Sequence, residues 1–415
     1  MYADAPLPVC SFGGNWLSVI AETSRAINLT GTAQVFLVCG GRNVGKSTMA
    51  RHLINSALSE CKRVAYLECD IGQTEFTPSG CISLHIVTTP VIGPPFTHQR
   101  KPYRMCYYGH IAAQEDPVHY VACVKYVYQA YVKLRRDRVP LIVNTMGWNR
   151  GMGLNLLVDV INITQPTHVV QFVHSSPNKN LPLVNEEFLS CTPGMVYEQR
   201  ALSNHRHLLV ESYEEYHQRK KQYKPEDHRH LSFLAYMGKM LDFTVTGKSL
   251  PLEALQPYSL PWSAVGIHVS HAVIPNSLAL LSLNASVVAL CAADPKEMLS
   301  SEDETLPRFF HSTPVCKCFG FGIVRGIDPV QKVFYILTPV PFADLGKVNT
   351  LLKGVLEIPS CIMTTQKCQQ PLPYVMEARH IPRVLGKESV KRSFKARPKY
   401  KRQGGARPSQ RKRQP

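Results

Sequence analysis

Apolar positions between residues 33 and 173 fall into short continuous runs separated by stretches of helical periodicity. Ala33-Gln34-Val35-Phe36-Leu37-Val38-Cys39 is β-rich and ends at two glycines. Over residues 47–59, Met49, Ala50, Leu53, Ile54, Ala57 and Leu58 recur at the spacing of one helix face. Residues 63–70 read as a second strand ending in a carboxylate, Asp70. A helix over 117–133, a third strand over 140–144, a helix over 154–163 and a fourth strand over 168–173 complete the alternation. Strands and helices alternating at these lengths predict a parallel sheet with helices on both faces. Ligands in such sheets lie at the carboxyl ends of the strands, so the chemistry is expected just after Cys39, Leu67, Val143 and Val173.

The pattern then changes twice. Residues 178–256 are polar, helical in spacing and rich in His, Arg and Lys. From Ala264 onward, short β-rich runs with Gly and Pro breaks take over, at 267–269, 287–290, 320–324 and 333–337. The expected organisation is a short lead-in over 1–30, an α/β domain over 31–261, a smaller, mostly β C-terminal domain over 262–383, and a tail over 384–415. No internal repeat is evident.

Charge sharpens the reading of the tail. The formal net charge is +17, and residues 387–415 carry twelve Lys and Arg against one acid, so +11 of it resides there. That segment is nearly devoid of apolar residues, which predicts a disordered basic tail attracted to polyanions such as RNA. Its basic clusters also resemble nuclear import signals. No run approaches 18 apolar residues and the N-terminus lacks a basic and apolar leader pattern, so neither a membrane nor a secretory route is expected. Thirteen scattered cysteines without a CxxC pair suit a reducing compartment.

The most informative segment is Gly40-Gly41-Arg42-Asn43-Val44-Gly45-Lys46-Ser47, which matches G-x-x-x-x-G-K-[ST] between a predicted strand and a predicted helix. Glycines let the backbone turn its N–H groups onto phosphates, and the following helix N-terminus favours negative charge. Residues 40–47 with Thr48 are therefore the expected ATP-binding loop, Lys46 the phosphate cation and Ser47 a Mg²⁺ ligand. Guanine readers carry Asn-Lys-x-Asp; Asn178-Lys179-Asn180-Leu181 lacks that aspartate. Motor ATPases end a buried strand in an acid, whereas residues 140–143 run into Asn144-Thr145-Met146-Gly147-Trp148. Both classes are disfavoured.

The acid stands elsewhere, in Glu68-Cys69-Asp70-Ile71-Gly72-Gln73-Thr74-Glu75-Phe76-Thr77-Pro78. A P-loop, then D-x-G-Q, then an N-T-x-G-W strand end resembles the polynucleotide 5′-hydroxyl-kinase family of P-loop RNA kinases. That segment, Gly93-Pro94-Pro95-Phe96-Thr97-His98 and Leu337-Thr338-Pro339-Val340-Pro341 are more similar to the nucleolar kinase of pre-ribosomal RNA processing than to the tRNA- and mRNA-processing sister kinase. The likeness runs over residues 16–361. It implies Asp70 as the base that takes the proton of the RNA 5′-hydroxyl and as a second Mg²⁺ ligand. It further implies Gln73, Thr145, Gly147 and Trp148 as RNA-binding residues, Trp148 as a stacking platform. A helical lid over about 178–256 would bring Arg229 over the transferring phosphate, with Arg219 as a second candidate. An rRNA-processing endonuclease is the implied partner, and the nucleus and nucleolus the implied location. Family members carry a sizeable domain before the P-loop; with about thirty residues ahead of Val35, its absence is expected here. A competing reading is an ATP-binding scaffold whose kinase chemistry is dispensable, and another is the role of the tRNA- and mRNA-processing kinase.

Overall fold

The computed structural model describes residues 14–29, 31–197, 205–212, 224–240, 255–299 and 307–359. Arg219 and the basic tail lie outside these residues.

Helix α1 (Trp16–Leu29) opens the described chain, followed by β1 (Val35–Cys39), α2 (Lys46–Glu60) and β2 (Val64–Glu68). Next come β3 (Cys81–Val87), β4 (Arg104–Tyr107), α3 (Pro117–Arg136), β5 (Leu141–Asn144), α4 (Met152–Thr164) and β6 (His168–Val173). Helix α5 (Glu186–Cys191), β7 (Arg206–Glu211) and α6 (Pro225–Met237) follow. The first sheet runs β4-β3-β2-β5-β1-β6-β7. Its β2, β5, β1, β6 and β7 are mutually parallel, while β3 and β4 join antiparallel at one edge. The parallel sheet of the sequence reading is thus the greater part of a mixed sheet.

Period-2 alternation decides the layers. Val35, Leu37 and Cys39 of β1 face the cluster formed with α3 and α4, and Phe36 and Val38 face Trp16, Val19 and the apolar stripe of α2. Every residue of β1 and β2 is buried, as expected of strands covered on both faces.

The second sheet is built from β8 (Tyr258–Pro261), β9 (Gly266–Val269), β10 (Val287–Ala292), β11 (Arg308–Phe309), β12 (Lys317–Asp328), β13 (Val333–Leu337) and β14 (Thr350–Lys353), with α7 (Asn276–Leu283) between β9 and β10. Its order is β11-β9-β14-β10-β12-β13-β8. It packs on the antiparallel edge of the first sheet: Cys81, Met105 and Tyr107 share one core with Phe321, Ile323 and Leu352, and with Phe233 and Met237 of α6. Tyr236 ties the units together, its Oη accepting from the Phe321 amide at 2.9 Å and donating to the Phe321 carbonyl at 3.5 Å.

Three boundaries differ from expectation. Residues 16–29 of the lead-in are a helix laid on α2, with Trp16 and Val19 in its core. The segment 178–256 is not one helical lid, because β7 inside it is a strand of the first sheet; among its described residues, α6 is the element that lines the site. The second domain begins before 262, since β8 pairs with β13. Among the described residues no helix is long and apolar enough to cross a membrane.

Candidate active site at the P-loop

Parallel pairing sets the ends of three strands side by side. Val38 is registered with Asn144, and Asn144 with Glu68. The loops leaving β1, β2 and β5 therefore converge on one place.

The loop between β1 and α2 takes left-handed conformations at Asn43 (φ +59°) and Gly45 (φ +111°), and Gly45 caps α2 with no side-chain acceptor on its first N–H groups. Backbone amides so turned at a helix N-terminus form an anion cradle. A Cβ on Gly41 would lie 2.1 Å from the Lys179 carbonyl, and one on Gly45 would lie 3.0 Å from the Trp16 ring, so neither position has room for a side chain. These features fit a nucleotide polyphosphate.

Lys46 is buried, and its Nζ donates to the Gly41 carbonyl at 2.7 Å. Burial holds its pKa below the usual lysine range, and Asp70 opposes that shift. Asp70 shows the mirror behaviour: burial raises its carboxyl, and Lys46 is the first group to oppose the rise. Asp70 Oδ1 accepts from the amides of Gly72 and Gln73 at 2.9 and 3.1 Å, which closes the D-x-G-Q turn on its own carboxylate.

Glu68, at the end of β2, organises that turn. Its Oε1 accepts from the Asp70 amide (3.0 Å) and Asn144 Nδ2 (2.9 Å); its Oε2 accepts from Tyr66 Oη (2.8 Å) and the Glu75 amide (3.1 Å). Burial pushes its pKa well up, with the neighbouring Asp70 charge adding to the rise. Sequence reasoning missed this role, although a carboxylate inside the buried run VAYLE was the available signal.

A cavity of about 180 Å³ lies beside the P-loop, lined by Ser47 and Arg51 of α2, Gln73 and Glu75, Phe96, and Arg229 of α6. Three expected site residues from distant parts of the chain, Ser47, Gln73 and Arg229, thus meet at one space. Arg229 is half-buried, and burial lowers its pKa while Glu226 opposes.

The N-T-x-G-W loop divides differently. Thr145 is buried, its hydroxyl donating to the Val38 carbonyl at 2.8 Å, so its side chain fastens β5 to β1 and is not a surface contact for RNA. Gly147 abuts the P-loop: a Cβ there would lie 2.9 Å from Arg42 Cα and 3.0 Å from Lys46 Nζ. That makes it a spacer for the cradle. Trp148 is half-buried with its ring over Gly153 at the start of α4, away from the cavity lining. Arg42 and Asn43 are exposed on the loop, while Val44 is in the core with Trp16.

Comparison with known proteins gives two family matches, the mRNA cleavage and polyadenylation factor CLP1 P-loop over residues 40–236 and the NOL9-like C-terminal domain over residues 253–359. Polynucleotide 5′-hydroxyl-kinase NOL9 of Homo sapiens is 38% identical over 372 residues, covering 82% of this chain and 52% of that protein. Its counterpart in Arabidopsis thaliana is 34% identical over 358 residues, covering 81% of this chain and 89% of the relative. The chain thus spans about half the length of the mammalian relatives it matches. Among solved structures, wild-type Clp1p in complex with Pcf11p has the same fold, with a TM-score of 0.57 at 14% identity over 82% of this chain and 78% of that one. Together with the cradle, the D-x-G-Q turn and the paired domains, these matches make the chain a member of the NOL9 family of polynucleotide 5′-hydroxyl-kinases.

Proposed function

We propose that this protein transfers the γ-phosphate of ATP to the 5′-hydroxyl end of RNA, in the processing of ribosomal RNA. The observation that carries the reading is the cavity where Ser47, Gln73 and Arg229 meet beside the opposed charges of Lys46 and Asp70. Phosphoryl transfer needs positioning and charge stabilisation more than covalent chemistry, and these residue types supply both. The amides of residues 40–47 and the Lys46 ammonium hold the phosphates. Asp70 accepts the proton as the 5′-oxygen attacks, and its raised pKa makes it a better base than an exposed aspartate. Arg229 lies over the transferring group and stabilises its charge. Ser47 and Asp70 would hold Mg²⁺, which needs one or two protein oxygens beside the phosphates and supplies Lewis-acid charge neutralisation.

The relatives' name, polynucleotide 5′-hydroxyl-kinase, and the tail's charge of +11 support action on RNA. A nuclear and nucleolar location and a partner endonuclease that leaves 5′-hydroxyl ends are parts of the same proposal. The test is transfer of labelled γ-phosphate to 5′-hydroxyl oligonucleotides of RNA and DNA. Transfer to RNA is expected. ATP binding without transfer to either would overturn the reading in favour of a nucleotide-binding scaffold.

A further inference from the structure

The run Gly93-Pro94-Pro95-Phe96-Thr97-His98 has no part in the transfer described above, yet Pro95 and Phe96 form a wall of the cavity. Among the described residues they are the only apolar side chains that line it. The loop is tied to both elements that handle the phosphates. Toward α2, Asn55 and Val91 exchange hydrogen bonds, Nδ2 to carbonyl at 3.0 Å and amide to Oδ1 at 2.7 Å. Arg51 Nη1 donates to the Gly93 carbonyl at 3.0 Å. Toward the D-x-G-Q segment, His98 Nε2 lies 2.7 Å from Glu75 Oε1, and Arg51 Nε reaches the same oxygen at 3.5 Å. Two consecutive prolines add local stiffness. Helix α6 packs on the turn at Pro95–Thr97, which sets Arg229 and Phe96 on one space.

In-line transfer requires the acceptor oxygen on the side of the phosphoryl group away from the leaving oxygen, with the acceptor's own body beyond it. Ser47, Gln73 and Arg229 answer to charge. None of them offers a flat apolar surface to the nucleoside that carries the hydroxyl. Phe96 does, on a loop tied to α2 and to Glu75 beside the same cavity. We infer that Phe96 is the stacking platform for the terminal 5′ nucleotide of the acceptor strand. This rests on the acceptor being a polynucleotide 5′ end. Stacking on one aromatic ring tolerates any base, so the platform selects for an unpaired terminal nucleotide and not for a sequence.

The experiment measures binding to the full chain of 3′-labelled, 5′-hydroxyl RNA oligonucleotides, with and without the base of the first nucleotide. Wild type should bind the abasic oligonucleotide more weakly by a factor of roughly 5–150, the range for one lost base stack. Phe96→Ala should weaken the intact oligonucleotide by a similar factor, show no further loss with the abasic one, and leave ATP affinity unchanged. Phe96→Trp should restore discrimination. Equal binding of both oligonucleotides by wild type, or undiminished binding by a folded Phe96→Ala, would overturn the platform. So would an ATP affinity that falls in step. Binding needs no turnover: wild type that discriminates the base yet transfers no phosphate would sink the kinase reading and leave the platform standing.

Discussion

Asn144 Nδ2 donates to Glu68 Oε1 at 2.9 Å, across the registered ends of β5 and β2. The strand next to β1 ends in an amide, and the carboxylate that faces it comes from the strand beyond. This displacement gives the D-x-G-Q turn its anchor: Glu68 accepts from the backbone amides of Asp70 and Glu75, one on either side of the turn. Asp70 is thereby presented to Lys46 from a fixed backbone.

Replacing Glu68 with Gln tests that anchor. An amide has one accepting oxygen where the carboxylate has two. Tyr66 Oη and the Asn144 side chain can reorient to accept from the new NH₂, but either the Asp70 or the Glu75 amide is left facing a donor. A buried unpaired amide costs about 1–3 kcal/mol, which urea unfolding will read. The pH dependence should change as well. Burial raises the folded-state pKa of Glu68 well above the ordinary 4.5 of a glutamate, so the folded state binds more protons than the unfolded one above that pH. Wild-type stability should therefore fall as pH rises from about there toward the raised value, and Glu68→Gln should flatten that part of the slope.

Asp70→Asn keeps an oxygen for the amides of Gly72 and Gln73, so the turn and ATP affinity should persist. Transfer should fall by about 10²–10⁴, the range for a positioned base. Because burial holds the Asp70 pKa above 3.8, wild-type turnover should rise with pH through that raised value as the carboxylate ionises. The Asn variant should lack this acid limb in single-turnover rates measured across pH. An unchanged limb would assign it to another group.

For Lys46→Ala the sizes of the effects on stability and activity differ. Burial works against the charged ammonium, but its removal orphans the Gly41 carbonyl, so the unfolding free energy should fall by no more than about 1–3 kcal/mol. Transfer should drop by about 10²–10³, as for loss of a preorganised charge donor. Calorimetry and labelled-phosphate transfer on one preparation decide it; a variant that unfolds makes Lys46 a structural residue.

The strands that were legible in sequence are the ones buried on both faces: β1, β2, β5 and β6 are apolar runs and lie within a residue or two of expectation. Others hid for physical reasons. In β3 the run is broken by Ser83 and His85, which hydrogen-bond to one another at 3.0 Å inside the core, and burial pushes the His85 pKa down to about 3. At the sheet edge β7 buries only Val210 fully, so its sequence carries no strand-like apolar alternation and reads as part of the polar segment 178–256. The P-loop was readable because its chemistry is local. Glu68 was not, since its four donors come from Tyr66, Asp70, Glu75 and the distant Asn144. The same gap separates Gly147, expected at RNA, from the cradle it touches.

Gly147 and Trp148 are neighbours that the structure sends to different tasks, and two substitutions separate them. Gly147→Ala places a Cβ 2.9 Å from Arg42 Cα and 3.0 Å from Lys46 Nζ, closer than backbone tolerates, so the P-loop must shift. The expected result is weaker ATP binding and slower transfer with an unfolding midpoint near wild type, because the loop sits at the edge of the core. Trp148→Ala removes a half-buried ring that covers Gly153 at the start of α4 and stands outside the cavity lining. If the ring also carries a base, RNA affinity should fall by about 1–3 kcal/mol while ATP affinity holds. Nucleotide titration and RNA binding on both variants should cross over, Gly147→Ala losing ATP and Trp148→Ala losing RNA. A Trp148→Ala protein that loses only thermal stability would return that ring to the packing of α4, and an unaltered ATP affinity in Gly147→Ala would show that the loop yields without cost.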